Sequence, residues 1–199
     1  TVLNSIDRLE VRGRDSAGLS VLFEFAPTEW AALQKELGHQ DLLPAYQERS
    51  ARNILANGSI QIDPPDPSAQ KNGAALAFTY KIAAEIGSLG DNVRFLRNQI
   101  KTDPILQRVI TYAPTNYTIS SHTRWASVGA ITESNCHPVD NFPAANGNPN
   151  QGIIHACLNG DIDNYLEIKA DLLNSGICIQ DDITTDTKVI PLLIQKYFQ

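Results

Sequence analysis

The sequence predicts an α+β fold in which short strands and helices segregate into layers. Three observations carry this. Leu19, Val21, Phe23 and Phe25 alternate, with Ser20 and Glu24 on the opposite side, the period of a half-buried strand. Asp91–Ile100 places Val93, Leu96 and Ile100 on one stripe, the period of an amphipathic helix. The two kinds of segment do not follow one another in the strict order that a parallel βαβ sheet needs. At 199 residues, 42% hydrophobic and 19% charged, the chain suits one domain with a real core.

Taken in order, Leu3, Ile6 and Leu9 fall on one helical stripe, and a turn at Arg12-Gly13-Arg14-Asp15 leads into the first strand. Pro27 ends that strand. Residues 28–52 predict one helix with Thr28 as its cap, and 57–72, with Gly58, Pro64, Pro65 and Pro67, predict an exposed, mobile loop. A strand over 74–82 and the helix from Asp91 come next. Asp103-Pro104, a cap followed by proline, opens a further helix to Ile110. Residues 117–125 predict a strand, 136–151 a loop rich in Asn, Pro and Gly, and 152–158 a short apolar strand that turns at Asn159-Gly160. Asp163 is expected to cap a helix through Leu173 that Gly176 ends. Thr185 or Asp186 is expected to cap the last helix, with Val189, Ile190, Leu193 and Ile194 on its apolar face.

Charge excludes some functions. The net charge is −6 and no basic cluster stands out, which argues against nucleic acid or an anionic membrane as partner. No run approaches the roughly eighteen apolar residues of a membrane span, and no signal peptide opens the chain. Three cysteines without CxxC spacing give no disulfide framework, so a reducing, cytoplasmic setting is expected. The chain holds no Met, where usage of roughly 2% would give about four, and it opens on Thr1; both predict a piece of a longer protein.

Three clusters carry chemistry. The first is Arg8-Leu9-Glu10-Val11-Arg12-Gly13-Arg14-Asp15-Ser16-Ala17-Gly18. The second is His122-Thr123-Arg124-Trp125-Ala126-Ser127-Val128-Gly129, followed by Asn135-Cys136-His137-Pro138. The third runs from His155 through Asn159-Gly160 and Asn164-Tyr165 to Thr185-Asp186-Thr187. Taken singly, Arg124 is an ion-pair residue, Asp186 a helix cap and Asn159-Gly160 a plain turn. Jointly, and in this order, they resemble the glutaminase domain of class II glutamine amidotransferases, nearest the glucosamine-6-phosphate synthase (glutamine–fructose-6-phosphate aminotransferase) branch. The resemblance covers the two ends, roughly half the chain, and fades from Phe25 to Asn116. Val128 stands where the family has His, Ser127 where it has Thr, Arg14 where it has Tyr and Lys188 where it has Glu.

The resemblance implies an N-terminal nucleophile αββα sandwich, two antiparallel sheets between helical layers. Residues 1–199 would form the glutaminase domain, N-terminally incomplete and with an enlarged stretch at about 26–116. It implies that an N-terminal Cys ahead of Thr1 attacks the glutamine side-chain amide, with its own α-amine as base. Thr1 itself opens a helix and is not read as that nucleophile. Asn159 and the backbone N–H of Gly160 would hold the oxyanion. Arg124 would clamp the α-carboxylate with its planar fork, and Asp186 the α-ammonium. Trp125 and Ser127 would line the pocket, and Arg12 would hold the nucleophile loop. Ammonia would pass to a sugar-phosphate isomerase-type acceptor domain, in the same or a partner chain, with fructose 6-phosphate as the expected acceptor; a homo-oligomer is left open. The alternative is a non-catalytic glutamine-sensing or interaction domain on the same scaffold. No cofactor or metal is implied: His122, His137 and His155 lack metal-ligand spacing and read as structural imidazoles with their partners satisfied, and Cys157 as inert core.

Overall fold

In the computed structural model, which describes residues 1–51, 54–84, 88–142 and 152–198, four strands form an antiparallel sheet. They are β1 (Ser16–Phe25), β2 (Ser59–Asp63), β3 (Ala74–Ala83) and β4 (Asn116–Arg124), in the spatial order β2-β3-β1-β4. With the helices this makes an α+β fold, as the sequence predicts. The register decides what each face carries. Leu19 pairs with Tyr80, Val21 with Phe78 and Phe23 with Leu76, while Ile60 pairs with Phe78 and Ile62 with Leu76. Side chains alternate along a strand, so all of these lie on one face. Against it pack α1 (Val2–Leu9), α2 (Pro27–Leu37), α4 (Asp91–Thr102) and α5 (Pro104–Val109), through Ile6, Trp30, Leu33, Leu96 and Ile105. Each such side chain stabilises the fold by about 1.5–3 kcal/mol relative to exposure.

The opposite face is polar and also buried. Ser16, Ser20, Ser59, Thr79, Lys81 and Arg124 are all at most 4% exposed. They lie under a second layer in which β5 (Val139–Asp140) pairs antiparallel with β6 (His155–Ala156). Ser20 Oγ and His155 Nδ1 share a 2.6 Å hydrogen bond, and Gln61 donates to Asp140 at 2.8 Å. The remaining helices are α3 (Leu43–Ser50), α6 (Tyr165–Asn174) and α7 (Val189–Tyr197). Leu172, Ile177, Val189 and Leu192 form a small second core between the last two.

Several expectations are corrected. The helix over 28–52 is two helices, broken after Leu37: Gly38 is a poor helix former, and the ring of Pro44 excludes continuous helix across it. Its cap is Ala26 with Pro27 at the first helical position, while Thr28 donates to Glu29. The loop over 57–72 contains β2, with Ser59 and Ile60 buried; the Ile60/Ile62 alternation is masked in sequence by the prolines that end this edge strand. The strand over 152–158 shrinks to His155–Ala156, because its partner β5 is only two residues long. Asn164, not Asp163, precedes α6, without a side-chain cap bond. The final helix opens with a 3₁₀ turn, Asp186–Lys188, and buries Val189, Pro191, Leu192 and Gln195, while Ile194 faces out. Packed against both α6 and the β5–β6 pair, α7 buries an arc rotated from the expected one. Residues 143–151 of the expected loop, and residue 52 of the expected helix, lie outside the described residues.

Candidate functional site

The site forms where the polar face of the sheet ends. Glu10, 1% exposed, accepts the backbone N–H groups of Gly90 (2.7 Å) and Asn92 (3.2 Å), which supplies acceptors and negative charge at the start of α4. This fixes the 3₁₀ turn Glu10–Arg12, from which Arg12 reaches the cavity. Asp15 then accepts the Ala126 N–H at 2.8 Å and so secures the loop that follows β4. The Arg124 guanidinium folds back on this loop, donating to the carbonyl oxygens of Val128 and, at 3.3 Å, Ala130. Gly129 makes the crossing feasible. Its φ is +89°, and a Cβ there would lie 2.9 Å from the Thr184 carbonyl carbon.

A cavity of about 360 Å³ gathers Arg12, Arg124, Trp125, Ser127, Asn159, Gly160 and Asp186, all the residues singled out from sequence. Asp186 is 4% exposed; one oxygen accepts the Ile162 N–H at 2.7 Å, and the other accepts Thr187 Oγ1 at 3.3 Å. Ser127 Oγ donates to Asp161 at 2.5 Å and ties the Arg124 loop to the Asn159-Gly160 turn. Asn159 and Gly160 are exposed, and Gly160 has φ +148°, which side-chain-bearing residues rarely adopt. Trp125 stands at the mouth, 72% exposed. The departures from the family pattern fall differently. Val128 lines the cavity but contributes its carbonyl to Arg124, while Lys188 turns away to Asp140. A larger cavity, about 770 Å³, lies on the apolar face by Tyr117 and Ile119 and contains none of these residues. None of Cys136, Cys157 and Cys178 lines the polar cavity.

Burial lowers the Arg124 pKa, against the opposing pull of Cys136, Asp15 and Asp186, yet a guanidinium stays charged at neutral pH. Behind it the His122 and His137 rings lie with centroids 4.7 Å apart, tilted by 51° to one another. The expectation of satisfied histidines holds for His155, bonded through both ring nitrogens, to Ser20 and Gln61. It fails for His122 and His137, whose buried Nδ1 atoms have no hydrogen-bond partner among the described residues. Burial holds His137 at about 3 and His155 at about 4, and it lowers His122 too, with Arg124 adding to the effect.

These depressed values make a pH prediction. The unfolded chain binds protons on these imidazoles near 6.5 and the folded chain does not, so stability is full above that value and falls as pH drops toward the folded values. Thermal unfolding should therefore show a falling Tm from about pH 6.5 to pH 5, before ordinary carboxylates titrate. A flat Tm across that window would contradict the buried neutral imidazoles.

Among the described residues, no group of three or more His, Cys, Asp or Glu side chains could hold a metal ion, and no helix is long and apolar enough to cross a membrane. Asn135, to which sequence reasoning gave no role, binds the segment before Asp186; its place inside the second cluster was the only signal.

The chain is similar to several glutamine–fructose-6-phosphate aminotransferases (isomerizing). It is 33% identical to that of Sulfurisphaera tokodaii over 116 residues, 58% of this chain and 18% of the relative. The Fusobacterium nucleatum protein is 31% identical over 127 residues, 64% of this chain and 18% of the relative. The Methanothermobacter thermautotrophicus protein is 40% identical over 77 residues, 39% of this chain and 11% of the relative. The chain thus spans less than a fifth of the length of the curated relatives it matches. No family model matches it. No solved structure matches it either.

Proposed function

We propose that this chain is a glutaminase domain, residues 1–199 with an enlarged stretch at about 26–116, that releases ammonia from glutamine. The observation that carries the reading is the gathering of Arg124, Asp186 and the Asn159-Gly160 turn around one polar cavity. A cation, an anion and a donor-bearing turn are what glutamine presents partners for: its α-carboxylate, its α-ammonium and its side-chain carbonyl. The similarity to glutamine–fructose-6-phosphate aminotransferases supports the same substrate. An N-terminal nucleophile sandwich is the architecture that goes with this reading, and the antiparallel sheet with its overlying β5–β6 pair suits it.

In this mechanism Arg124 binds the carboxylate, and Asp186 binds the ammonium through the lone pairs not used by Ile162 and Thr187, which fixes the amide over the Asn159-Gly160 turn. A thiolate attacks the amide carbon. The carbonyl becomes an oxyanion, held by Asn159 Nδ2–H and the Gly160 N–H. Its collapse expels ammonia and leaves a thioester, which water hydrolyses to glutamate. The thiol is that of an N-terminal cysteine of the intact protein, as the resemblance implies; its α-amine takes the thiol proton and returns it to the leaving group. The ammonia acceptor is a sugar phosphate, fructose 6-phosphate by similarity, bound on an isomerase-type domain.

The test is ammonia release from glutamine by the intact protein. Turnover supports the proposal, and absence of both binding and release overturns it. Binding without release would favour the glutamine-sensing alternative. Arg124→Ala should raise KM for glutamine by about 10–100-fold, with a smaller effect on kcat, because the carboxylate it holds does not change during the reaction. Steady-state kinetics check this. A fall in kcat at unchanged KM would remove Arg124 from the carboxylate.

A further inference from the structure

We infer that Asn135 is a positioning residue that sets Asp186 at the ammonium end of the cavity; this rests on the reading of Asp186 proposed above. Asn135 is fully buried. Its Oδ1 accepts the backbone N–H groups of Thr184 (2.7 Å) and Thr185 (2.9 Å). Its Nδ2 donates to Thr132 Oγ1 (3.0 Å) and Thr184 Oγ1 (3.1 Å). The amide thus uses both lone-pair positions and both N–H bonds. Only a carboxamide offers two acceptor and two donor positions in one plane, and Gln would carry it one methylene further from the backbone.

What it holds is the segment just ahead of Asp186. Thr184 and Thr185 belong to no helix or strand, so their N–H groups have no ladder partner, and Thr185 is 1% exposed. Without Asn135 two amide hydrogens would be left unpaired at the back of the site, and the segment would shift to find partners. Asp186 is the next residue, so any shift moves its carboxylate directly. Asn135 also links the two clamps: Thr184 Oγ1 accepts the Ala130 N–H at 3.1 Å, and the Ala130 carbonyl accepts from Arg124 at 3.3 Å. Arg124 keeps its own second anchor at Val128, which makes the ammonium end the more dependent of the two on Asn135.

The test compares two ligands in calorimetric titrations of the intact protein: glutamine, and glutaramate, which has the same carboxylate and amide but no α-amino group. Asn135→Ala should weaken glutamine about tenfold, the scale of one charge-assisted hydrogen bond made poorly, and glutaramate less than about twofold. Equal losses for both ligands, or no loss for glutamine, overturn the positioning role. A wild-type protein that binds both ligands equally tightly removes Asp186 from the ammonium and overturns the underlying reading instead. Amide hydrogen exchange tests the anchoring in the wild-type protein without any ligand, and so stands if the variant does not fold or if glutamine does not bind. The Thr184 and Thr185 amides should exchange as slowly as those of β1, and exchange at open-loop rates overturns the inference.

Discussion

Asn159→Ala is expected to cut glutamine turnover by about 10²–10³-fold, the typical effect of removing one oxyanion donor, with little change in KM. The reasoning is that an amide N–H serves an oxyanion more strongly than a neutral carbonyl, so the loss is felt in the transition state. The neighbouring Gly160 N–H is a backbone group and survives the substitution, which leaves a residual rate above zero. Asn159 is exposed at the cavity rim, so Tm should stay within about 1–2 °C. Ammonia-release kinetics alongside a thermal melt check both halves. A rise in KM at constant kcat would make Asn159 a ground-state binding residue and move the oxyanion site elsewhere.

Lys188→Ala should destabilise the fold by about 3–5 kcal/mol, the scale of stranding one partner of a buried ion pair. The Lys188 and Asp140 side chains are 1% and 3% exposed and meet at 2.6 Å. Lys188 Nζ also donates to the Asp140 carbonyl at 2.8 Å and to the Phe142 carbonyl. Removal leaves the Asp140 carboxylate buried with the Gln61 amide as its one side-chain hydrogen-bond donor among the described residues. For a chain of this size the Tm should fall by about 6–20 °C. Urea unfolding with an unchanged m-value would confirm that stability, not cooperativity, is what moved. A loss below about 1 kcal/mol would mean that water reaches Asp140 in the folded state.

The legible parts of the sequence are those whose signal is local. β1 reads from the Leu19–Phe25 alternation, α4 from its stripe, and α5 from Asp103, whose carboxylate accepts the Ile105 and Leu106 N–H groups. β2 was not legible, because five residues between Gly58 and Pro64 carry too short a period to outweigh their flanks. The break at Gly38–Leu42 is hidden in the sequence because the polar residues around it suit an exposed helix face as well as a turn. For the site, residue types and order led to one cavity. What sequence could not give is how occupied those residues already are. Arg124 is committed to two loop carbonyls, Ser127 to Asp161, and one oxygen of Asp186 to Ile162. Such bonds join positions far apart in the chain, and no spacing rule reports them.

The two-faced sheet has a consequence for how the chain finds its pairing. A slip of one residue between β1 and its neighbours would turn Leu19, Val21 and Phe23 toward Lys81 and His155, and turn Ser16 and Ser20 toward Trp30 and Leu33. In most half-buried sheets such an error merely exposes a few apolar groups to water. Here both sides are enclosed over most of the strand, so Ser16, Leu19, Ser20, Val21 and Phe23 would each meet a partner of the wrong polarity, and the penalties accumulate along β1. Mispaired states are thereby discouraged from either side at once, and the strand that must deliver Arg124 to the cavity is aligned by the same constraint.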